Sequence, residues 1–464
     1  MTVNEELEYR KKVKAKLDSV GKGFCLAKWN QVTIHLGCGL THSCHHAVPH
    51  KISESEIKRN PSALHNTLYK KKMRHEMLNG KRPKECDYCW RIEDSSDQFS
   101  DRIFKSSEPW AFPTFDRVLN TYWSEDYFPT YVEVDFSNKC NQKCMYCNPQ
   151  FSSAWQKEAE KFGPINLGEG TCFNGVVGTT EKNLYEHPES NPYIEAFWKW
   201  WPDLFKHLHT FRMTGGEPLL EPTTYELLRY IQEHWEENPN ISLGLNTNLN
   251  LSDEKLEELL EILSDLSNNN KVRELIIYTS AESVGKHAEY ARFGMNDERL
   301  WRHIERIVQV LPKVTLTMMA CFNITSVYTY KELIDRVWEL KKKYHGNNGS
   351  ERIYGTSVML DTAYIRWPDV LSIKQAGPRE VQLIKELGEY VEQFRTESTP
   401  EAYPPGFCEV EIEKIKRLYD YVVGPDPYDL PLKRRQLKKF FEELDRRRGT
   451  DYKETFPELA ELLD

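Results

Sequence analysis

From residue 130 onward, short runs of β-branched, aromatic and apolar residues alternate with longer runs of helical period, and this rhythm limits the fold more than any other feature. Strands are expected at Tyr131–Phe136, Thr210–Thr214, Ser242–Asn246, Glu274–Thr279, Val314–Cys321 and Ser357–Ile365. Thr223–Glu236, Asp253–Leu266, Glu298–Val310 and Tyr330–Tyr344 read as the helices between them. Six strands with intervening helices imply an α/β chain with a parallel sheet, because parallel neighbours need crossovers long enough to hold a helix. Periodicity alone does not separate an open sheet from one curled into a partial barrel. Gly163–Pro192, rich in Gly, Asn, Pro and Glu, interrupts the rhythm and reads as a long loop or lid. Past residue 376 the chain reads as mainly helical, broken at Pro404–Pro405 and Pro425–Pro431.

The start of the chain is built differently. A strand over Gln31–Leu36 ends at the turn signal Gly37-Cys38-Gly39, and a second short strand leading to Cys44 makes a hairpin. Asn60–Leu78 reads as one helix, with Asn60 as its cap and Pro61 in the first helical position. The basic clusters Lys70–Arg74 and Lys433–Arg448 read as solvated helix faces, and Phe197-Trp198-Lys-Trp200-Trp201 as helix packing rather than a base-stacking platform. A net charge of −9 weighs against general nucleic-acid binding. The longest nearly uncharged apolar stretch, around Val314–Phe322, falls far short of the ~20 residues of a membrane span. No basic segment followed by an apolar one opens the chain, so the expectation is a cytoplasmic protein without a membrane partner.

Of eleven cysteines, eight precede residue 150. In a reducing compartment such clustering indicates metal or redox chemistry rather than disulfides. Cys140, Cys144 and Cys147 form a C-x3-C-x2-C loop just after the first strand of the alternating region. That pattern arises by chance about 0.006 times in a chain of this length and cysteine content. It lies at a strand's C-terminal end, the edge where parallel α/β folds hold ligands. Zinc prefers four closed ligands, and a fourth is missing nearby. Three thiolates on a cubane cluster would leave one iron open.

The spacing, with Tyr146 before the last cysteine, closely resembles the signature of the radical S-adenosylmethionine (SAM) family. In that family the open iron of a [4Fe–4S] cluster chelates the amino and carboxylate groups of SAM. An electron then cleaves the sulfonium bond, and the resulting 5′-deoxyadenosyl radical takes a hydrogen atom from an unactivated C–H bond. A second segment, Gly215-Gly216-Glu217-Pro218 at the end of the next strand, resembles the family's GGEP motif. It implies that Gly215 and Gly216 let the backbone approach SAM and that Glu217 accepts hydrogen bonds from its amino group. Asn248 follows the third strand, and Ser280 and Glu282 follow the fourth. The resemblance gives the latter two the ribose or methionine part of SAM, and Arg292 its carboxylate. The implied fold is a partial (β/α)6 TIM-type barrel. The implied partners are a one-electron donor such as flavodoxin or ferredoxin and a peptide or small-molecule substrate.

The early cysteines make a second set. Cys25 precedes the hairpin and Cys44 follows it, so the two can converge, while Cys38 lies nearer the tip and can replace Cys25. Cys86 and Cys89 supply a C-x2-C pair. Four thiolates in two pairs suit a structural zinc or a closed [4Fe–4S] cluster, and spacing does not decide between them. His45 and His46 read as neighbours of the site rather than ligands. Beside a radical SAM core, the set resembles the twitch or SPASM-type extension that holds an auxiliary cluster, here at the N-terminus. The resemblance implies an auxiliary-cluster domain over 1–115, a core over 125–375 and a helical extension over 376–464. Relatives of this kind modify ribosomal peptides, protein side chains, sugars and cofactor precursors, and a peptide side chain is the favoured target. The competing readings are a non-catalytic zinc-binding or interaction protein and a radical enzyme modifying nucleic acid. Cys172, Cys321 and Cys408 are isolated, and Cys321 reads as a buried strand residue.

Overall fold

The computed structural model describes residues 3–173, 190–345, 357–396, 404–425 and 429–463. The chain divides into two units. One comprises Met1–Ser137, Lys182–Gly215 and His234–Leu243, the other Asn138–Glu181, Gly216–Glu233 and Gly244–Asp464.

In the first unit the strand Tyr131–Asp135 lies between two parallel neighbours, Thr210–Thr214 and Gln31–His35. Leu40–His42 runs antiparallel to Gln31–His35, and His50–Lys51 antiparallel to Leu40–His42. The expected hairpin is therefore present, with a third short strand, and it extends a sheet instead of standing alone. All five residues of Gln31–His35 are buried, although polar and apolar residues alternate along the strand. The helix Pro192–Phe205 starts where the Asn191 side chain accepts from the Tyr193 N–H (2.9 Å). Its aromatic run is packing, as expected: Trp201 stands 4.7 Å from Phe211 and Phe197 stands 5.8 Å from Phe136, ring centre to ring centre.

The segment Asn60–Leu78 is not one helix. Asn60 caps a 3-10 turn at Pro61–Leu64, and Thr67 caps a new helix, Leu68–Leu78, by accepting from the Lys70 N–H (3.1 Å). The break lets His65 and Asn66 serve buried backbone groups elsewhere in the chain. His65 donates to the Trp29 carbonyl (2.8 Å), and Asn66 exchanges two bonds of 3.1 Å with the backbone of Tyr127. Lys70 and Arg74 do not lie on a solvated face; each is 1% exposed.

In the second unit Glu274–Ser280, Thr315–Phe322 and Val358–Tyr364 are parallel neighbours in that order, and Gly244–Asn246 belongs to the strand beside the first of them. The helices Asp253–Asn268, Asp297–Val310 and Tyr330–Lys343 join them. Leu300, Ile304, Ile307 and Val308 make the buried stripe of Asp297–Val310, whose first turn is capped by Asn296. The architecture is thus α/β with a mostly parallel arrangement of the main strands. The segment expected as a loop begins as a hairpin, Ile165–Gly168 with Thr171–Phe173, turning through Glu169 and Gly170 at positive φ. Phe173 packs edge-on to Phe440 (5.3 Å), joining that hairpin to the helix Leu430–Arg448. The remainder of the loop, residues 174–189, lies outside the described residues. The C-terminal part is helical as expected, with Pro378–Glu392, Glu409–Val423 and Leu430–Arg448. No helix among the described residues is long and apolar enough to cross a membrane.

Candidate functional site

The second unit opens on the loop carrying Cys140, Cys144 and Cys147, and the loop is fixed at several points. The Cys140 N–H donates to Ser153 Oγ (3.2 Å) and the Ser153 N–H to the Asn138 carbonyl (2.7 Å). Ser152 caps the helix Ser153–Phe162 and also donates to the Gln142 carbonyl (2.8 Å), while Trp155 Nε1 donates to the Cys144 carbonyl (2.8 Å). Lys143–Cys144 pairs antiparallel with Arg292–Phe293, so Arg292 stands directly opposite Cys144. Gly294 permits this approach, because a Cβ there would lie 2.7 Å from the Asn141 carbonyl oxygen. Gly216 does the same on another side: a Cβ would lie 2.3 Å from the Lys139 carbonyl oxygen. The Glu217 N–H donates to that same carbonyl (2.6 Å).

Burial pushes each of the three thiols up, Cys140 to about 11, and Cys144 adds to the rise of Cys140 and Cys147. Side-chain N–H groups reach two of the sulfurs. Arg292 Nη1 is 3.5 Å from Cys144 Sγ, and Asn248 Nδ2 is 3.8 Å from Cys140 Sγ. A soft three-sulfur donor set with N–H groups directed at it suits thiolates bound to iron, whose binding would displace the thiol protons. Among the described residues no three His, Cys, Asp or Glu side chains form a group that could hold a single metal ion.

Glu282 and Arg292 are neighbours of this loop, and each is chiefly the other's partner. Arg292 Nε lies 2.9 Å and Nη2 lies 2.7 Å from Glu282 Oε2. Tyr146 donates its hydroxyl to Glu282 Oε1 (2.9 Å), with the guanidinium 5.4 Å from its ring centre. The pair is 1% and 5% exposed. Ser280 is half-buried at the end of its strand, in register with Met319. Cys321, read from sequence as a plain strand residue, belongs to this neighbourhood. Burial pushes it up to about 11, the charges of Glu282, Arg292 and Cys144 act on it, and it packs in the same cluster as Tyr146. The signal that could have found it is parity, since Met319 and Cys321 are the two half-buried positions in Thr315–Phe322. Arg448 was also missed. It lies in a basic cluster that reads as solvated, yet its side chain is 1% exposed and pairs with Glu158 (3.3 Å), which also holds Lys143.

Glu217 sits beneath the loop with most of its acceptor capacity used. Its Oε1 accepts from the Thr247 hydroxyl (2.8 Å) and the Leu219 N–H (3.0 Å), and its Oε2 from the Asn248 N–H (2.6 Å). A carboxylate has about four acceptor positions, so one remains on Oε2. Burial outweighs these bonds and raises the carboxyl from 4.5 to about 7. Between those values the folded chain keeps a proton that the unfolded chain has lost. The contribution of Glu217 to stability therefore falls as pH rises across that window and is constant above it. Urea unfolding of the metal-free protein should show this slope, and Glu217→Gln should remove it. A slope that persists in the variant would assign it to another group.

The early thiols gather within the first unit. Lys28, three residues after Cys25, makes a buried ion pair with Glu85, beside Cys86. The His46 ring stacks on Tyr88 at 3.7 Å and binds Asp101 (2.6 Å), which draws the segment after Cys44 against the C-x2-C turn. Cys25 and Cys86 pack against the core that contains Cys89. Cys25, Cys86 and Cys89 each feel Cys44, and burial raises the first two to about 12 and Cys89 to about 11. Cys38 instead turns its thiol to the His35 carbonyl (3.8 Å). Cys172 is exposed, in the Ile165–Phe173 hairpin.

No protein-family model matches the chain, and no curated protein is significantly similar to it. Among solved structures, it is similar to Streptococcus suis SuiB bound to the precursor peptide SuiA, at 13% identity and a TM-score of 0.35, over 83% of this chain and 72% of that one. SuiB bound to S-adenosylmethionine is similar at 14% identity and a TM-score of 0.29, over 68% of this chain and 61% of that one.

Proposed function

We propose that the chain is a radical SAM enzyme whose catalytic cluster is held by Cys140, Cys144 and Cys147. The observation that carries this reading is the meeting of two motifs recognised independently in the sequence. Gly216 and Glu217 close directly on the backbone leading into Cys140, and Asn248, which donates to Glu217, also reaches the Cys140 sulfur. When bound, the cluster supplies the electron that cleaves SAM reductively into methionine and a 5′-deoxyadenosyl radical. The open acceptor position of Glu217 is offered to the amino group of SAM, with Gly215, Asn248 and Ser280 around the ligand. Arg292, fixed by Glu282, keeps a positive charge at Cys144 and orients Tyr146, and in this reading it acts on the cluster side of the site. In this reading the core over 125–375 is a partial (β/α)6 TIM-type barrel.

In the same reading Cys25, Cys44, Cys86 and Cys89 hold an auxiliary [4Fe–4S] cluster in an N-terminal domain over 1–115, with 376–464 as a helical extension. The substrate is a peptide side chain or a small metabolite, and the electron comes from a flavodoxin or ferredoxin in a reducing cytoplasm. Anaerobic purification and reconstitution test the proposal. The expected result is a brown protein with about eight irons that forms 5′-deoxyadenosine only with reductant. A colourless protein holding zinc alone would overturn it. Replacing Cys86 and Cys89 by alanine is expected to remove about half the iron while leaving uncoupled SAM cleavage in place. Iron quantitation and chromatography of the products report both.

A further inference from the structure

The first unit buries more basic side chains than it pairs with carboxylates. Lys28, Lys70 and Arg74 are each no more than 2% exposed and lie close together on the segment Ala27–Asn30 and the helix Leu68–Leu78. Only Lys28 has a carboxylate partner, Glu85. Lys70 Nζ bonds to the Gln31 carbonyl (3.3 Å) and to His65 Nδ1 (2.8 Å). Arg74 donates to the Lys28 carbonyl (3.2 Å) and to Asn66 Oδ1 (2.8 Å), and its Nη2 lies 2.6 Å from His65 Nε2, the nitrogen that donates to Trp29. Among the described residues neither Lys70 nor Arg74 has a carboxylate within ion-pair distance.

Burial holds the Lys70 ammonium well below its usual range and pushes Arg74 down to about 9, so three such groups beside one carboxylate stay charged together only where an anion completes the site. The groups beside these cations that can become anionic are the gathered thiols. Lys28 pairs with Glu85, next to Cys86, and Arg74 donates to the Lys28 carbonyl, three residues from Cys25, while the charge of Cys44 acts on both Lys28 and Lys70. Four thiolates around a cubane core form a dianion in the resting state, equal to the excess of two cations, and reduction adds one further negative charge. A buried positive charge stabilises the reduced form more than the resting form.

We propose that Lys70, backed by Arg74, is the built-in counter-charge of the N-terminal four-cysteine centre and raises its reduction potential. The proposal rests on the auxiliary-cluster reading above. It makes Lys70 a positioning residue of that centre, and it explains why a lysine occupies a site closed to water.

The test uses the full-length chain carrying Cys140→Ala, Cys144→Ala and Cys147→Ala together, so that only the N-terminal centre remains. Lys70→Met and Lys70→Arg are compared in that background by dye-mediated potentiometric titration, followed by absorbance and electron paramagnetic resonance. Lys70→Met is expected to lower the reduced-to-oxidised ratio at a fixed potential about tenfold, a shift of about 59 mV for a one-electron couple. Lys70→Arg, which keeps the charge, is expected to stay near the parent. Equal potentials in all three proteins at full iron loading would overturn the proposal. Iron lost in Lys70→Met and kept in Lys70→Arg supports it, and iron lost in both overturns it, because shape rather than charge would then matter. A thermal melt separates failure of the proposal from failure of the cluster reading. Lys70→Met should raise the melting temperature of the metal-free protein and lower that of the loaded one. A parent that binds only zinc would overturn the cluster reading, yet the same opposite shifts on zinc loading would still support the counter-charge. Equal shifts with and without metal would overturn it.

Discussion

Alanine at any one of Cys140, Cys144 or Cys147 is expected to abolish reductive SAM cleavage, with 5′-deoxyadenosine falling to the level of a reductant-only control. Three sulfurs from one loop leave no spare ligand, so a single deletion removes the cluster and not merely its tuning. The loop itself should survive the change. Its anchors are backbone and neighbouring side chains: Ser152 and Ser153, Trp155, and the two-residue ladder to Arg292–Phe293. None of these uses a thiol. Circular dichroism and the melting temperature of the metal-free protein should therefore match the parent, and about half the iron should remain in the N-terminal centre. A variant that still forms 5′-deoxyadenosine above the control would exclude the loop as the catalytic ligand set.

The second large effect concerns Arg292. Removing one member of a buried ion pair leaves the other charged and poorly solvated, at a cost of about 3–5 kcal/mol, against a typical total stability of about 5–15 kcal/mol. Arg292→Met is expected to lose on that order, because Glu282 would keep only the Tyr146 hydroxyl among the contacts described above. The double variant Glu282→Leu with Arg292→Met removes both charges and is expected to recover most of the loss. Urea unfolding of the metal-free proteins checks this. A double variant no more stable than Arg292→Met alone would mean that the two residues do not act as a buried pair.

Much of this site could be read before any coordinate. The six main strands match their expected limits to within a residue or so, because β-branched alternation and flanking turn residues are local signals. The C-x3-C-x2-C loop and the Gly-Gly-Glu-Pro segment are local too, and their spacing does not depend on tertiary context. What escaped was long-range. Lys70 and Arg74 sit one turn apart in a charged helix, the usual sign of a solvated face, and only the break at His65–Thr67 turns them inward. Arg448 meets Glu158 across 290 residues of sequence, a partnership no window of the chain contains. Cys321 sits beside Tyr146 only because the strand's register fixes which face it shares with Ser280 and Met319. Glu217 was read as a ligand for an ammonium group. In the fold it is a strut, tying its own loop to the segment Thr247–Asn248, and no motif announces that duty.

The parallel ladder between Gln31–His35 and Tyr131–Asp135 has a consequence for the order in which the molecule is made. Residue 31 finds its partner only at residue 131, so on the ribosome the hairpin strand and all four gathered cysteines emerge well before the strand that completes their sheet. During that interval the segment that carries these thiols lacks the strand that completes its sheet. The same ladder means that the leading segment is no detachable appendage. Trimming it away would strip Tyr131–Asp135 of a neighbour and leave a bare row of backbone donors and acceptors, an invitation to self-association.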